Sequence, residues 1–204
     1  MERQRIVVLD MEGVVVPEIW VAVAERTGIE ELRRTTRDEP DYDVLMRYRL
    51  DHLAQHGLTM ALIAEVLAGL EPLPGARAFL DELRSQHPVV LLSDTFEQFS
   101  AALAPKLGQP VILCHRLEID TATDQITGYR LRLPDQKRAA VDAFRSLAYE
   151  VRAAGDSYND TSMLLAADAG YLFRAPPKVK ADFPQLEALE DYDDLLARLT
   201  APSP

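Results

Sequence analysis

Cysteine occurs once in the 204 residues, at Cys114, which excludes a disulfide within the chain. A reducing compartment is consistent with that. Cys114 ends an apolar run and reads as a buried thiol rather than a nucleophile. No apolar run is long enough to cross a bilayer, and the start, Met1-Glu2-Arg3-Gln4-Arg5, shows no signal-peptide h-region. No membrane partner is expected, and the cytoplasm is the default location. Positive charge is scarce: 22 Lys and Arg against 33 Asp and Glu leave 22 − 33 = −11, with no basic block. A phosphate backbone needs a positive footprint, so the composition argues against nucleic acid as a partner. A small anionic ligand stays compatible, because a local site can be positive on a negative protein. Internal repeats and low-complexity tracts are also missing. What remains is 48% apolar residues, enough for a core, in a length that suits one domain or one domain with an insertion.

The organising stretch is Ile6-Val7-Val8-Leu9-Asp10-Met11-Glu12-Gly13-Val14-Val15-Val16. Its β-branched start reads as a buried central strand with Asp10 and Glu12 at the C-terminal end. Side chains two apart on a strand share a face, so both carboxylates are expected to converge where open α/β sheets bind ligands. Gly13 lets the backbone turn. Two crowded anions call for a cation, and a hard one such as Mg²⁺ prefers oxygen ligands. The plainer alternative is a strand that ends in solvated acids.

Helical spacing follows over residues 19–27, with Trp20, Val23 and Ala24 on one face and Gly28 as a stop. It continues over 30–34, 42–56 and 60–70, punctuated by Gly57 and by Pro72, Pro74 and Gly75. No strand is expected between Pro17 and Pro74, so residues 17–74 read as a helical insertion. Arg33, Arg34 and Arg37 read as its solvated face. Arg49 taken alone is another surface arginine. His52 and His56 sit four apart on a helix, but no third ligand with useful spacing accompanies them, and they read as an exposed pair.

From residue 76 helix and strand alternate: helix 76–86, strand 88–92 ending in Ser93-Asp94-Thr95, helix 96–107, strand 111–114. Residues 117–133 alternate as a β-hairpin about a polar turn at 120–124. Helix 136–147 carries Lys137 near its start. Strand 149–154 leads into Gly155-Asp156-Ser157-Tyr158-Asn159-Asp160, then helix 161–167, strand 169–173, helices at 178–183 and 192–199, and a fraying tail at 201–204. The rhythm predicts an α/β fold, a doubly wound parallel sheet with right-handed crossovers. The core then comprises residues 1–16 and 75–204, with 17–74 as a cap inserted after the first strand.

Such a sheet gathers Asp10, Glu12, Ser93, Lys137, Asp156 and Asp160 along one edge. Each suits phosphoryl transfer: a carboxylate nucleophile, carboxylates for Mg²⁺, a hydroxyl and backbone N–H to grip phosphate, and an ammonium to neutralise charge. Singly, Ser93 reads as a cap or turn residue, Lys137 as a surface lysine and Asp156 as a turn residue. Their order along the chain resembles the haloacid dehalogenase superfamily, and the insertion resembles its first-position cap. Gly155-Asp156-Ser157-Tyr158-Asn159-Asp160, His115-Arg116-Leu117 with Ile126-Thr127-Gly128, and Met46-Arg47-Tyr48-Arg49-Leu50 resemble the phosphoserine phosphatase branch. Leu9-Asp10-Met11-Glu12-Gly13-Val14, Pro17-Glu18-Ile19-Trp20 and Ser93-Asp94-Thr95-Phe96 look like its bifunctional members, which also pass the phosphoryl group to homoserine. The likeness spans nearly the whole chain.

The resemblance implies Asp10 as nucleophile and Mg²⁺ ligand, with Glu12 giving its backbone carbonyl to the metal and its side chain to acid/base work. It implies Glu18 and Arg49 binding the amino and carboxylate groups of the substrate. Ser93, Asp94 and Lys137 would hold the phosphoryl end, Asp94 through its backbone, with Lys137 also catalytic. Asp156 would ligate Mg²⁺, Asp160 would brace the metal site, and Asn159 would touch the substrate. One departure stands out: the position of Glu12 is usually aspartate, and a glutamate is one methylene longer. The expected activity is Mg²⁺-dependent hydrolysis of phosphoserine through an aspartyl-phosphate, with transfer to homoserine, in a monomer or homodimer. The alternatives are another small phosphomonoester as substrate, or an idle domain that binds a phosphorylated ligand. A dehalogenase is disfavoured, since that chemistry would leave the acids at 12, 156 and 160 without a purpose.

Overall fold

The computed structural model describes residues 3–36, 38, 39 and 41–202, so Arg37 and the end of the tail at 203–204 lie outside the described residues. Seven strands form one sheet: β1 (Arg5–Leu9), β2 (Val89–Phe96), β3 (Val111–Ile119), β4 (Ile126–Arg130), β5 (Glu150–Gly155), β6 (Ala169–Phe173) and β7 (Glu187–Leu189). Their order is β4-β3-β2-β1-β5-β6-β7, and every pairing is parallel except β3 with β4. β1 occupies the middle because it can bury both faces. Val7 and Leu9 enter one apolar cluster and Ile6 and Val8 the other. β2 repeats the alternation, with Val89 and Leu91 on the first side and Val90 and Leu92 on the second.

Nine helices accompany the sheet among the described residues: α1 (Ile19–Thr27), α2 (Tyr42–Gln55), α3 (Met60–Gly69), α4 (Ala76–Gln86), α5 (Glu97–Leu103), α6 (Gln136–Ser146), α7 (Thr161–Ala166), α8 (Pro177–Asp182) and α9 (Tyr192–Thr200). The first cluster takes side chains from α1, α2, α3, α4, α5 and α9, and the second from α6, α7 and α8. Helices on both faces of a mainly parallel sheet make the doubly wound α/β fold that the alternation predicted. None of the described helices is long and apolar enough to cross a membrane.

Between β1 and α4 the described residues form no strand of the sheet, only α1, a 3-10 turn at Glu30–Arg33, α2 and α3. Local chemistry sets the boundaries. Gly28 ends α1 in the left-handed region, and the Asp41 carboxylate accepts from Asp43 N and Val44 N at the start of α2. The face of α1 carrying Trp20, Val23 and Ala24 is buried as its spacing implied. Arg33 and Arg34 are not simply solvated: Arg33 pairs with Glu25 and Glu30, and Arg34 with Glu39.

Several boundaries differ from expectation. β1 stops at Leu9, and Val14, Val15 and Val16 pack into the core from a tight turn. That turn is closed by Val15 N and Val16 N donating to Met11 O and by Gly13 N donating to Val16 O. Apolarity alone does not distinguish a buried strand from a buried turn. β2 runs on to Phe96 through an irregularity between Leu92 and Phe96, which shortens the helix expected from 96. β3 merges two segments that look separate in sequence, because the same strand pairs with β2 and then with β4. β7 has no counterpart in the sequence pattern; it has three residues and only one is buried.

Candidate active site

The C-terminal ends of β1, β2 and β5, the start of α6 and the helical excursion meet at one cavity of about 60 Å³. Asp10, Glu12, Glu18, Trp20, Arg49, Ser93, Asp94, Lys137 and Asn159 all line it. Asp156 and Asp160 lie in the same neighbourhood. Ligand oxygens of Asp10, Asp156 and Asp160 fall within 4.8 Å of one another, and all three residues are buried.

Lys137 holds this cluster together. Its side chain is 2% exposed, and Nζ donates to Asp10 Oδ1 at 2.7 Å and to Asp160 Oδ1 at 2.6 Å, with Asp94 Oδ2 at 3.8 Å. The surface-lysine reading is therefore wrong. Burial alone would lower its pKa, but the facing carboxylates of Asp10, Asp160 and Asp94 hold it well above the ordinary lysine value. Asp160 uses its other oxygen to accept from Asp156 N and Ser157 N, both at 3.0 Å. It fixes the loop that carries Asp156, and no side chain fits at Gly155, whose Cβ would strike the Asp160 carboxyl group. Gly13 is as constrained: its φ is +77°, and a Cβ there would come 2.5 Å from Asp156 Oδ2.

Glu12 departs from the strand-based expectation. With β1 ending at Leu9, its carboxylate does not join the acid cluster. Glu12 Oε2 instead accepts from Ile19 N at 2.9 Å, at the start of α1. Burial, and then the carboxylate of Glu18, push its pKa up to about 7.

Asp94 sits in a donor cage. Asn159 Nδ2 donates to Oδ2 at 2.8 Å and Gln136 Nε2 to Oδ1 at 3.0 Å. His115 Nδ1 accepts from Arg132 N at 3.1 Å, which leaves Nε2 to carry a proton toward Asp94 Oδ1 at 3.5 Å. Burial raises the pKa of Asp94, but Lys137, His115, Asn159 and Gln136 outweigh it and hold the carboxyl well below the usual range. Ser93 is buried, and its Oγ accepts from Thr95 N at 3.2 Å, a local turn bond. Arg49 is also buried, contrary to its reading as a surface residue. Its guanidinium lies 4.7 Å from the Trp20 ring centroid and donates to Arg34 O at 2.8 Å. Burial lowers it to about 10, so it stays cationic at neutral pH.

Some residues here escape sequence reasoning. Tyr42 reaches from α2 to donate to Asp94 O at 2.8 Å, and nothing in its neighbours marks it. Gln136 is hidden beside Lys137, although its position at the helix start is a usable signal. His115 stands out in sequence only as part of a hairpin. A second cavity of about 380 Å³ adjoins the first, sharing Tyr42, Asp94, Lys137 and Asn159, and is walled by Leu131, Leu133 and Pro134.

A buried carboxylate paired with an ammonium, in an oxygen-only acid cluster at strand ends, can support phosphoryl chemistry. The description of the family model matching residues 4–168 is haloacid dehalogenase-like hydrolase. The phosphoserine phosphatase ThrH of Pseudomonas aeruginosa is 58% identical over 187 residues, 92% of this chain and 91% of that protein. A phosphoserine phosphatase of Pseudomonas syringae pv. tomato is 57% identical over 187 residues, covering 92% and 78%. Among solved structures, a phospho-aspartyl intermediate analogue of phosphoserine phosphatase superposes with a TM-score of 0.79 at 19% identity, over 97% of this chain and 99% of that one. At that identity it speaks to the fold alone. The chain belongs to the haloacid dehalogenase-like hydrolases, within their phosphoserine phosphatase branch.

Proposed function

We propose that this protein is a Mg²⁺-dependent phosphoserine phosphatase that works through an aspartyl-phosphate on Asp10 and also passes the phosphoryl group to homoserine. The observation that carries this reading is the single cavity shared by Asp10, Ser93 and Lys137 with Glu18 and Arg49. Phosphoserine has a phosphate, an ammonium and a carboxylate. Ser93 and Lys137 suit the first, Glu18 the second and Arg49 the third. Residues 17–74 act as the cap that brings the last two groups over the core.

The acid cluster fits Mg²⁺. Its donors are all oxygens, and the one ammonium beside its three carboxylates pairs with Asp10 and Asp160 among them. Asp10 and Asp156 would be direct ligands with the backbone carbonyl of Glu12, while Asp160, with both oxygens engaged, braces the loop. A bound Mg²⁺ would neutralise and orient the phosphoryl oxygens. Asp10 attacks phosphorus in line, forming the Asp10 O–P bond as the P–O bond to serine breaks, and Glu12 gives its proton to the departing serine oxygen. Lys137 offsets charge on the phosphoryl oxygens, and Asn159 holds the substrate side. Water or the homoserine hydroxyl then attacks phosphorus, Glu12 takes the proton, and Asp10 is freed. Homoserine carries the same two handles as serine, so Glu18 and Arg49 can position it in preference to water. A single buried cysteine and the absence of a long apolar helix among the described residues suit a cytoplasmic enzyme.

One incubation with phosphoserine, Mg²⁺ and homoserine tests both activities through phosphate and phosphohomoserine. Asp10→Asn should lose at least about a thousandfold of both. Full activity in that variant rejects the mechanism, and phosphate without phosphohomoserine rejects the transfer. The adjoining 380 Å³ cavity favours a second reading, a bulkier phosphomonoester. That reading predicts that Arg49→Ala leaves substrate preference unchanged.

A further inference from the structure

We propose that Glu31, His52 and His56 form a binding site for a divalent transition-metal ion of the zinc class, on the helical excursion and separate from the acid cluster. Two groups of potential metal ligands occur among the described residues, and this is the one outside the cavity. The ligand atoms of Glu31, His52 and His56 lie within 4.8 Å of one another. The missing third ligand comes from the 3-10 turn before α2, which no spacing rule along one helix could supply.

His52 and His56 are one helical turn apart, with ring centroids 6.4 Å apart and planes 26° from parallel. Tyr48 packs edge-on against His52 at 4.4 Å and restricts that ring. His52 Nδ1 is buried without a hydrogen-bond partner, a condition that costs stability unless something satisfies it. Glu31 is equally unclaimed. Arg33 takes Glu25 and Glu30, while the Glu31 carboxylate has no hydrogen bond or ion pair among the described residues. Arg34, stacked over Tyr48 at 5.1 Å, is itself paired with Glu39.

Two imidazoles and one carboxylate are a donor set for Zn²⁺, with water in the fourth position, and a poor one for Mg²⁺ or Ca²⁺. Metal–ligand distances of about 2.0–2.2 Å place tetrahedral ligands roughly 3.3 Å apart. Glu31 and His56 are exposed and can rotate inward by the difference. The ion would join the 3-10 turn to α2. The chain between them carries Thr35 and Thr36, which line the cavity, and Arg49 on the same helix already holds Arg34 O. Occupancy would therefore fasten one wall of the cavity from outside. None of this depends on which substrate the cavity takes.

The chain has four histidines, so imidazole NMR separates the two metal sites directly. With Mg²⁺ present, one equivalent of Zn²⁺ should move the His52 and His56 resonances together and leave His87 unmoved. Movement of His115 without that of the pair would place the ion at the acid cluster and overturn the proposal. Glu31→Gln should weaken the response of the pair at least tenfold. His56→Ala, at an exposed position, should abolish the His52 shift at the same Zn²⁺ concentration and remove the Zn²⁺-dependent rise in unfolding temperature seen in the wild type. If His52 and His56 stay still at several equivalents, or respond equally in Glu31→Gln, the site does not exist.

Discussion

Glu12 does two things with one carboxylate. It accepts from Ile19 N, and so anchors the first turn of α1, while it sits in the cavity near Glu18 and Arg49. The extra methylene that distinguishes it from aspartate gives it the reach for that bond. Its burial has a measurable cost. A carboxyl whose folded pKa of about 7 exceeds the ordinary 4.5 binds its proton more tightly when folded. The folded state is favoured below 4.5, and that advantage drains away as pH climbs through 7. In chelator-treated protein, Glu12→Gln keeps an acceptor for Ile19 N and has no proton to lose. Urea unfolding at a series of pH values should therefore show the variant overtaking the wild type as pH rises from 4.5 to 8. The swing should be on the order of 3 kcal/mol. A difference that does not vary with pH would show that Glu12 titrates normally.

At the scale of elements, the hairpin and the helical excursion are fastened to each other. Asp124, in the β3–β4 turn with φ of 58°, accepts from Ala61 N through Oδ2 at 2.7 Å, and its carbonyl accepts from Met60 N at 2.9 Å. It caps α3 from across the molecule. Tyr129 on β4 donates to Asp43 on α2, and Tyr42 stacks edge-on against both Tyr129 and His115. Asp124→Ala should cost about 1 kcal/mol in denaturant unfolding and raise the KM for phosphoserine more than it lowers kcat. An unchanged KM would mean that the hairpin does not steady the excursion.

These fastenings mark where local sequence patterns stop being informative. The periodicity of 19–27 and 76–86 predicts α1 and α4 to the residue, because one buried stripe fixes a helix. Lys137 and Arg49 look like surface residues in sequence because the carboxylates that justify burying Lys137, and the Trp20 ring that receives Arg49, lie far away in the chain. The Tyr42–Asp94 bond spans 52 residues, and no local pattern encodes it. β7 is illegible because its three residues gain strand character only from pairing with β6. The expectation that the strand runs on through Glu12 fails for a related reason: Asp10 directly follows β1, but Val14, Val15 and Val16 are as apolar as a strand and are buried in a turn.

The whole molecule carries a charge of −11 and concentrates three buried carboxylates at one point. A divalent cation there should stabilise the fold by mass action. At a Mg²⁺ concentration a hundred times its Kd the unfolding temperature should rise by roughly 5–10 °C. Measured at constant ionic strength, the rise should vanish in Asp156→Asn. A rise equal in the variant would assign it to general screening of the acidic surface.

The sheet order places β1 between β2 and β5, with two further strands outside each neighbour. Leu9, paired on both sides to Leu91 and Ala154, immediately precedes Asp10. Backbone at the centre of a sheet is among the last to exchange its amide hydrogens, whereas surface helices loosen first. On the mechanism proposed above, the attacking oxygen of Asp10 hangs from the centre of the sheet, whereas Glu18 and Arg49 come from the helical excursion. On that mechanism such a division would let the entrance loosen without disturbing the aim of the nucleophile.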